Sequence, residues 1–201
     1  MTAAYDRAMS RDPQDHSDPA APTPTGGDPV LDAHDEEVLA FWQRARSSIE
    51  EGRVPVITGT EPLDALPPPT WAFGSGAQMA DDLLALVLQG RKTATAGALW
   101  DYEATDEAVP EAGDLSIVVD GAGRPRALLA TTTVDIVPFD EVPASFAAAE
   151  GEGDLTLEFW RRVHEEFFTQ FADHDRTFSR QMPVVCESFT VLYQEPDQAG
   201  T

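Results

Sequence analysis

The stretch "GDLSIVVDGAGRPRALLATTTVDIVPF", residues 113–139, decides the fold class. Its two apolar, β-branched flanks suit a pleated sheet surface, and "DGAGRP" between them supplies the glycines of a tight reversal. The segment therefore reads as two strands joined in a hairpin. Working outward, "MPVVCESFTVLYQ" (182–194) reads as a further strand, with Val185, Phe189, Val191 and Tyr193 available for a core. On the other side, "DEEVLAFWQRARSSIEEG" (35–52) is a helix capped by Asp35, with Val38, Phe41, Trp42 and Ala45 as its apolar stripe. "GAQMADDLLALVLQG" (76–90) is a second helix, with Met79, Leu83, Leu86 and Val87 inward and Gly90 ending it. The proline-rich segment 54–74 connects the two. "DEVPASFAAAEGEGDLTLEFWRRVHEEFFTQF" (140–171) gives a short helix, an acidic glycine turn and a longer helix capped by Asp154 or Thr156. Leu157, Trp160, His164, Phe167 and Phe171 share one side of that longer helix. Helices interspersed with four or more strands argue for an α+β domain around a small, mostly antiparallel sheet. Closure into a barrel would hide its edges; periodicity does not choose between a barrel and an open sheet.

Composition limits the function classes. The 201 residues suit one domain with a tail. Residues 1–35 are Pro-, Asp- and Ala-rich and lack an apolar period, so they read as a disordered leader. The folded domain is expected over 36–195, with a disordered tail at 196–201. No apolar run reaches membrane-spanning length and no secretory signal is recognisable, so no membrane partner is expected. The single cysteine, Cys186, fits a reducing cytoplasm and reads as an inert packed thiol. The formal charge is −23. Residues 1–35 hold seven Asp and two Arg, a net of −5, which leaves −18 for the other 166. Such a chain repels polyanions at long range, and no DNA partner is expected. The four histidines and one cysteine make no metal-ligand spacing, and no P-loop or dinucleotide fingerprint is present. No metal and no cofactor are expected. His164, on an apolar stripe, reads as a packed core or boundary histidine rather than a ligand.

Chemistry concentrates in "QGRKTATAGALW", residues 89–100, which holds the chain's only lysine, Lys92; the other twelve cationic side chains are arginine. An amine can lose its proton when desolvated and act as a base, which guanidinium does not. The segment "GRKTAT" fits the G-x-K-x-x-T signature of the ASCH domain, a PUA-like family. The helix before it, the hairpin segment, "AAAEGEGDLTLEFWRRVHEEFF" and "MPVVCESFTVLY" follow in matching order, so residues 36–194 resemble a bacterial ASCH-domain protein.

The resemblance implies a small PUA-like β-barrel with flanking helices and a cleft for RNA or nucleosides. In a related bacterial group a lysine, a threonine and a glutamate hydrolyse the amide of N4-acetylcytidine. Carried over, these are Lys92, Thr95 and Glu152, with Glu150 as the alternative acid. Arg91, Thr93, Glu150 and Trp100 are the expected substrate contacts, and Trp71 is a further aromatic that suits either stacking on a base or burial in the core. Other ASCH proteins are described as single-strand ribonucleases or RNA-binding modules. A module of that kind would gather Arg91, Lys92, Arg124 and Arg126 and take single-stranded RNA. The fuller signature often carries arginine where this chain has Gly97, which weakens any phosphate contact there.

The chemistry makes physical demands. A threonine hydroxyl needs a base, and a lysine amine serves only when neutral. Arg91 would lower the lysine pKa and Glu152 would raise it, so Glu152 fits better as the acid that protonates a leaving amine or as an orienting group. On a straight strand Lys92 and Thr95, three apart, face opposite sides. The chain after Gly90 must therefore turn or bulge if both are to share a site.

Overall fold

The computed structural model describes residues 33–52 and 66–195. Residues 1–32 of the expected leader, the expected tail, and residues 53–65 of the long connection lie outside the described residues, while residues 33–35, expected in the leader, are helical. Helix α1 (Ala33–Gly52) begins before Asp35, which sits in its first turn rather than ahead of it. Val38, Phe41, Trp42, Ala45 and Ile49 are all buried, as their i, i+3/i+4 spacing requires. They pack against Ile117 and Leu128 of the sheet.

After strand β1 (Thr70–Trp71), helix α2 (Ala77–Leu88) buries Ala80, Leu84 and Val87. Met79, expected inward, is exposed. The inward stripe centres on Leu84 because the adjoining cluster of Phe73, Val118, Leu129 and Phe189 receives that face. Gly90 follows with φ +70°, the left-handed conformation that ends the helix without Cβ strain.

Strand β2 (Ala94–Ala98) leads directly into helix α3 (Leu99–Thr105). The hairpin pairs β3 (Leu115–Val119) with β4 (Pro125–Pro138) in antiparallel register. A 3₁₀ turn (Phe139–Glu141), helices α4 (Ala144–Ala149) and α5 (Leu157–Gln170), and strand β5 (Pro183–Gln194) complete the order. Thr156 is the cap of α5, its hydroxyl accepting from Phe159 N, while Asp154 accepts from both the amide and the hydroxyl of Thr156.

The sheet order is β1-β3-β4-β5-β2, antiparallel except for the parallel β1–β3 pair. The expected closed barrel is corrected to an open five-stranded sheet. Register shifts in the long β4–β5 ladder bend it, but among the described residues β1, two residues long, pairs only with β3, and β2 pairs only with β5. Both edge strands instead border one cavity of about 340 Å³, lined by Thr70 and Trp71 on one side and Thr95, Ala96 and Gly97 on the other. Toward α5, Ala94, Ala96 and Ala98 present so little bulk that Trp160 packs onto the sheet with Phe139, Phe146 and Phe168. Burying an aromatic of this kind contributes about 1.5–3 kcal/mol.

Candidate active site

Lys92 lies ahead of β2, not on it. Its amide and that of Arg91 both bond Leu86 O, and Thr93 N bonds Ala149 O, so the chain folds back from α2 before the strand starts. This turn brings Lys92 and Thr95 to one cavity of about 120 Å³, shared with Phe73, Glu150, Glu152 and His164. The Lys92 side chain is 1% exposed. Its Nζ donates to Glu150 Oε2 and to Glu152 Oε1, each at 2.6 Å, and lies 5.4 Å from the Phe73 ring centroid.

Gly151 makes this arrangement possible. It has φ +73°, and a Cβ there would stand 2.4 Å from Arg91 O. Only glycine lets the acidic turn lie directly on the Arg91–Lys92 backbone, with the glutamates on either side of it reaching one ammonium.

The two glutamates are not alternatives; both hold Lys92, in different surroundings. Glu150 is 1% exposed, whereas Glu152 is 22% exposed. Glu150 Oε1 accepts from Trp160 Nε1 at 2.8 Å and faces His164 Nε2 at 3.3 Å. Burial alone would raise the Glu150 pKa, but Lys92 and His164 outweigh it and hold the carboxyl well below the usual range. For Lys92, burial pulls the pKa down and the charges of Glu150 and Glu152 pull it up further, so the net shift is upward. The amine is dry, as base chemistry requires, yet it is held as ammonium. Among the described residues Nζ bonds the two carboxylates and not the Thr95 hydroxyl, which is half-buried and makes no protein hydrogen bond.

His164 is a packed histidine, as its position on the apolar stripe implies, stacked on Trp160 at 4.2 Å. It also serves the site. Nδ1 faces the Trp160 carbonyl at 3.0 Å and Nε2 faces Glu150, so both ring nitrogens are turned to acceptors. Its placement four residues after Trp160 on the inward stripe of α5 was the available signal.

Three expected contacts sit elsewhere. Thr93 is exposed and its hydroxyl bonds Ala149 O, tying the entry of β2 to α4. Trp100 packs edge-on against His174, with the Arg176 guanidinium over its ring, and lines neither cavity. Arg91 is exposed, meeting the site through its backbone. Trp71 lines the larger cavity.

The cationic group expected of an RNA-binding cleft does not assemble. Arg124 and Arg126 both turn to Asp120 at the β3–β4 turn, at 2.8 and 3.6 Å, and the charge of Lys92 is met by two carboxylates. At Gly97 a Cβ would stand 3.0 Å from the Tyr102 ring, so the tyrosine occupies the space an arginine would need. Burial pushes the buried Cys186 thiol up to about 12. Among the described residues no group of three or more His, Cys, Asp or Glu is arranged to hold a metal ion, and no helix is long and apolar enough to cross a membrane.

Comparison with known proteins agrees with this architecture. Among curated proteins, none matches the sequence significantly. The crystal structure of protein EF3133 from Enterococcus faecalis V583 is 36% identical, with a TM-score of 0.65 over 78% of this chain and 88% of that one. The ASCH domain from Lactobacillus crispatus JV V101 is 27% identical, with a TM-score of 0.67 over 79% of this chain and 96% of the other. A family model described as "ASCH domain" matches residues 69–193, a span that runs from β1 through the lysine segment and the acidic turn to β5. With both the matched span and the shared architecture in hand, the chain belongs to the ASCH-domain family.

Proposed function

We propose that this protein is a small amidohydrolase acting on an acylated cytidine-type nucleoside through Lys92, Thr95 and Glu152. The observation that carries the reading is the buried Lys92 ammonium clamped by Glu150 and Glu152 in one cavity with the Thr95 hydroxyl. Occupation of the cavity by an uncharged substrate dries it further, and a dry site disfavours separated charges. A proton then passes from Lys92 Nζ to Glu152 Oε1 along their 2.6 Å hydrogen bond, leaving a neutral amine and a neutral acid.

The amine takes the Thr95 hydroxyl proton as the oxygen attacks the amide carbonyl. Collapse of the tetrahedral adduct breaks the C–N bond, and Glu152 gives its proton to the leaving amine. The resulting acyl-threonine ester is hydrolysed by water, which restores Thr95 and releases the carboxylic acid. Glu150, saturated by Lys92, Trp160 and His164, positions the lysine and moves no proton.

The test is deacylation of N4-acetylcytidine followed by ultraviolet absorbance. Wild type is expected to be active, with Thr95→Ala and Lys92→Arg each losing at least about a hundredfold in kcat. An inactive wild type, or full activity in Thr95→Ala, defeats the proposal. Membership of the ASCH family also supports an RNA-binding or PUA-like module without amidase activity. That alternative predicts single-stranded RNA binding that weakens with salt.

A further inference from the structure

The larger cavity, between β1 and β2, is not used by the chemistry above, yet it shares Thr95 and Ala96 with the lysine cavity. Thr95 stands on the border of both. Thr95 and Glu187 are cross-strand partners on β2 and β5, so their side chains share a face. Trp71 and Tyr102 supply two aromatic surfaces to the same space. A volume of about 340 Å³ is at the size where small-ligand sites begin.

We infer that this cavity is the ring-binding subsite of the same centre, that it takes an unphosphorylated heterocycle, and that Glu187 selects an N–H donor on that ring. The inference rests on the nucleoside reading and specifies which form of the substrate is accepted. Glu187 Oε1 is taken by the Thr131 hydroxyl at 2.6 Å, while Oε2 accepts no hydrogen bond among the described residues. A lining carboxylate with one oxygen to spare favours an amide or amino N–H, and a charge-assisted bond in a sheltered site is among the stronger kinds. Aromatic walls suit a planar ring, as they do for unstacked bases.

Phosphate is disfavoured by the same lining. Glu107 and Glu187 both line the cavity, while among the described residues no Lys or Arg does. The Tyr102 ring fills the space over Gly97 where a cationic side chain would have to stand. Burial, with the neighbouring charges of Glu187, Glu107 and Asp101, pushes the Tyr102 phenol up to about 12, so it offers a neutral hydroxyl rather than a further anion.

The experiment uses the full chain carrying Thr95→Ala, which blocks turnover, and measures binding of N4-acetylcytidine and of its 5′-monophosphate by calorimetry. The nucleoside is expected to bind and the monophosphate to bind at least about tenfold more weakly. Adding Glu187→Gln, which keeps an acceptor for Thr131 but turns a donor toward the ring, should weaken the nucleoside by about tenfold to a hundredfold. With Thr95 intact, Glu187→Gln should raise KM while leaving kcat within about threefold. Absence of nucleoside binding, equal or tighter binding of the monophosphate, or unchanged affinity in Glu187→Gln each overturns the inference. The two proposals fail separately. Binding that follows this pattern in a protein without deacylase activity leaves the subsite standing and defeats the hydrolase reading. Deacylation with an unchanged KM in Glu187→Gln does the reverse.

Discussion

Replacing Lys92 by methionine removes the ammonium and keeps most of the side-chain volume. Two hydrogen bonds of 2.6 Å to carboxylates are lost, and breaking a buried ion pair from one side costs about 3–5 kcal/mol because the other charge is left uncompensated. Glu150 retains the Trp160 Nε1 donor and its 3.3 Å contact with His164 Nε2, and Glu152, 22% exposed, can be reached by water. Both facts move the expectation to the lower half of that range, about 3–4 kcal/mol. In a domain of this size each kcal/mol lowers Tm by about 2–4 °C, so a drop of about 6–16 °C is expected at pH 7.

The pH dependence has a definite sign. The raised Lys92 pKa contributes stability that is complete below the ordinary lysine value of about 10.4 and is lost as pH rises through the higher folded value. The depressed Glu150 pKa contributes stability that is complete above about 4.3 and is lost as pH falls toward its folded value. The wild-type advantage over Lys92→Met should therefore be flat between about pH 5 and 10 and narrow on both sides. Circular dichroism melts across that window and beyond both its edges, with Glu150→Gln closing a double-mutant cycle, provide the assay. The cycle should give a coupling of at least about 2 kcal/mol. A loss below about 1 kcal/mol, or coupling within about 0.5 kcal/mol of zero, would refute the buried-clamp argument.

Other consequences are more local. Gly151→Ala combines a left-handed φ with a Cβ 2.4 Å from Arg91 O, and should cost at least about 2 kcal/mol in urea unfolding. Gly90→Ala, with φ +70° but open space around the new methyl, should cost only about 1 kcal/mol; equal costs would show that the close approach at Gly151 is unimportant. Cys186, whose thiol is pushed up to about 12 by burial, should resist iodoacetamide at pH 8 in the native protein and react only on unfolding. Rapid native labelling would contradict its burial on the core face of β5.

Much of the fold is legible because it is written locally. The hairpin shows itself through β-branched flanks and a glycine turn, and α1 through a stripe whose every member is buried. The α2 stripe is less secure, since Met79, Leu83, Leu84, Leu86 and Val87 offer more than one apolar face; the sheet chooses the one with Ala80 and Leu84. Barrel closure is not legible at all. It depends on whether two edge strands, separated by helix α2, come within hydrogen-bonding distance, and no local pattern encodes that.

The site divides in the same way. The sequence alone determined that one lysine lies just beyond a helix-ending glycine, three residues before Thr95 and well ahead of a glycine-spaced acidic turn, because residue identity and turn chemistry act over a few positions. Tertiary structure alone decided that both glutamates hold that lysine across separations of 58 and 60 residues, that His164 and Trp160 complete the shell of Glu150, and that Thr93 and Trp100 stand aside. Those outcomes depend on one backbone passing directly over another at Gly151 and on the β2–β5 register. Such contacts are settled by how the whole sheet and its helices pack rather than by any one segment.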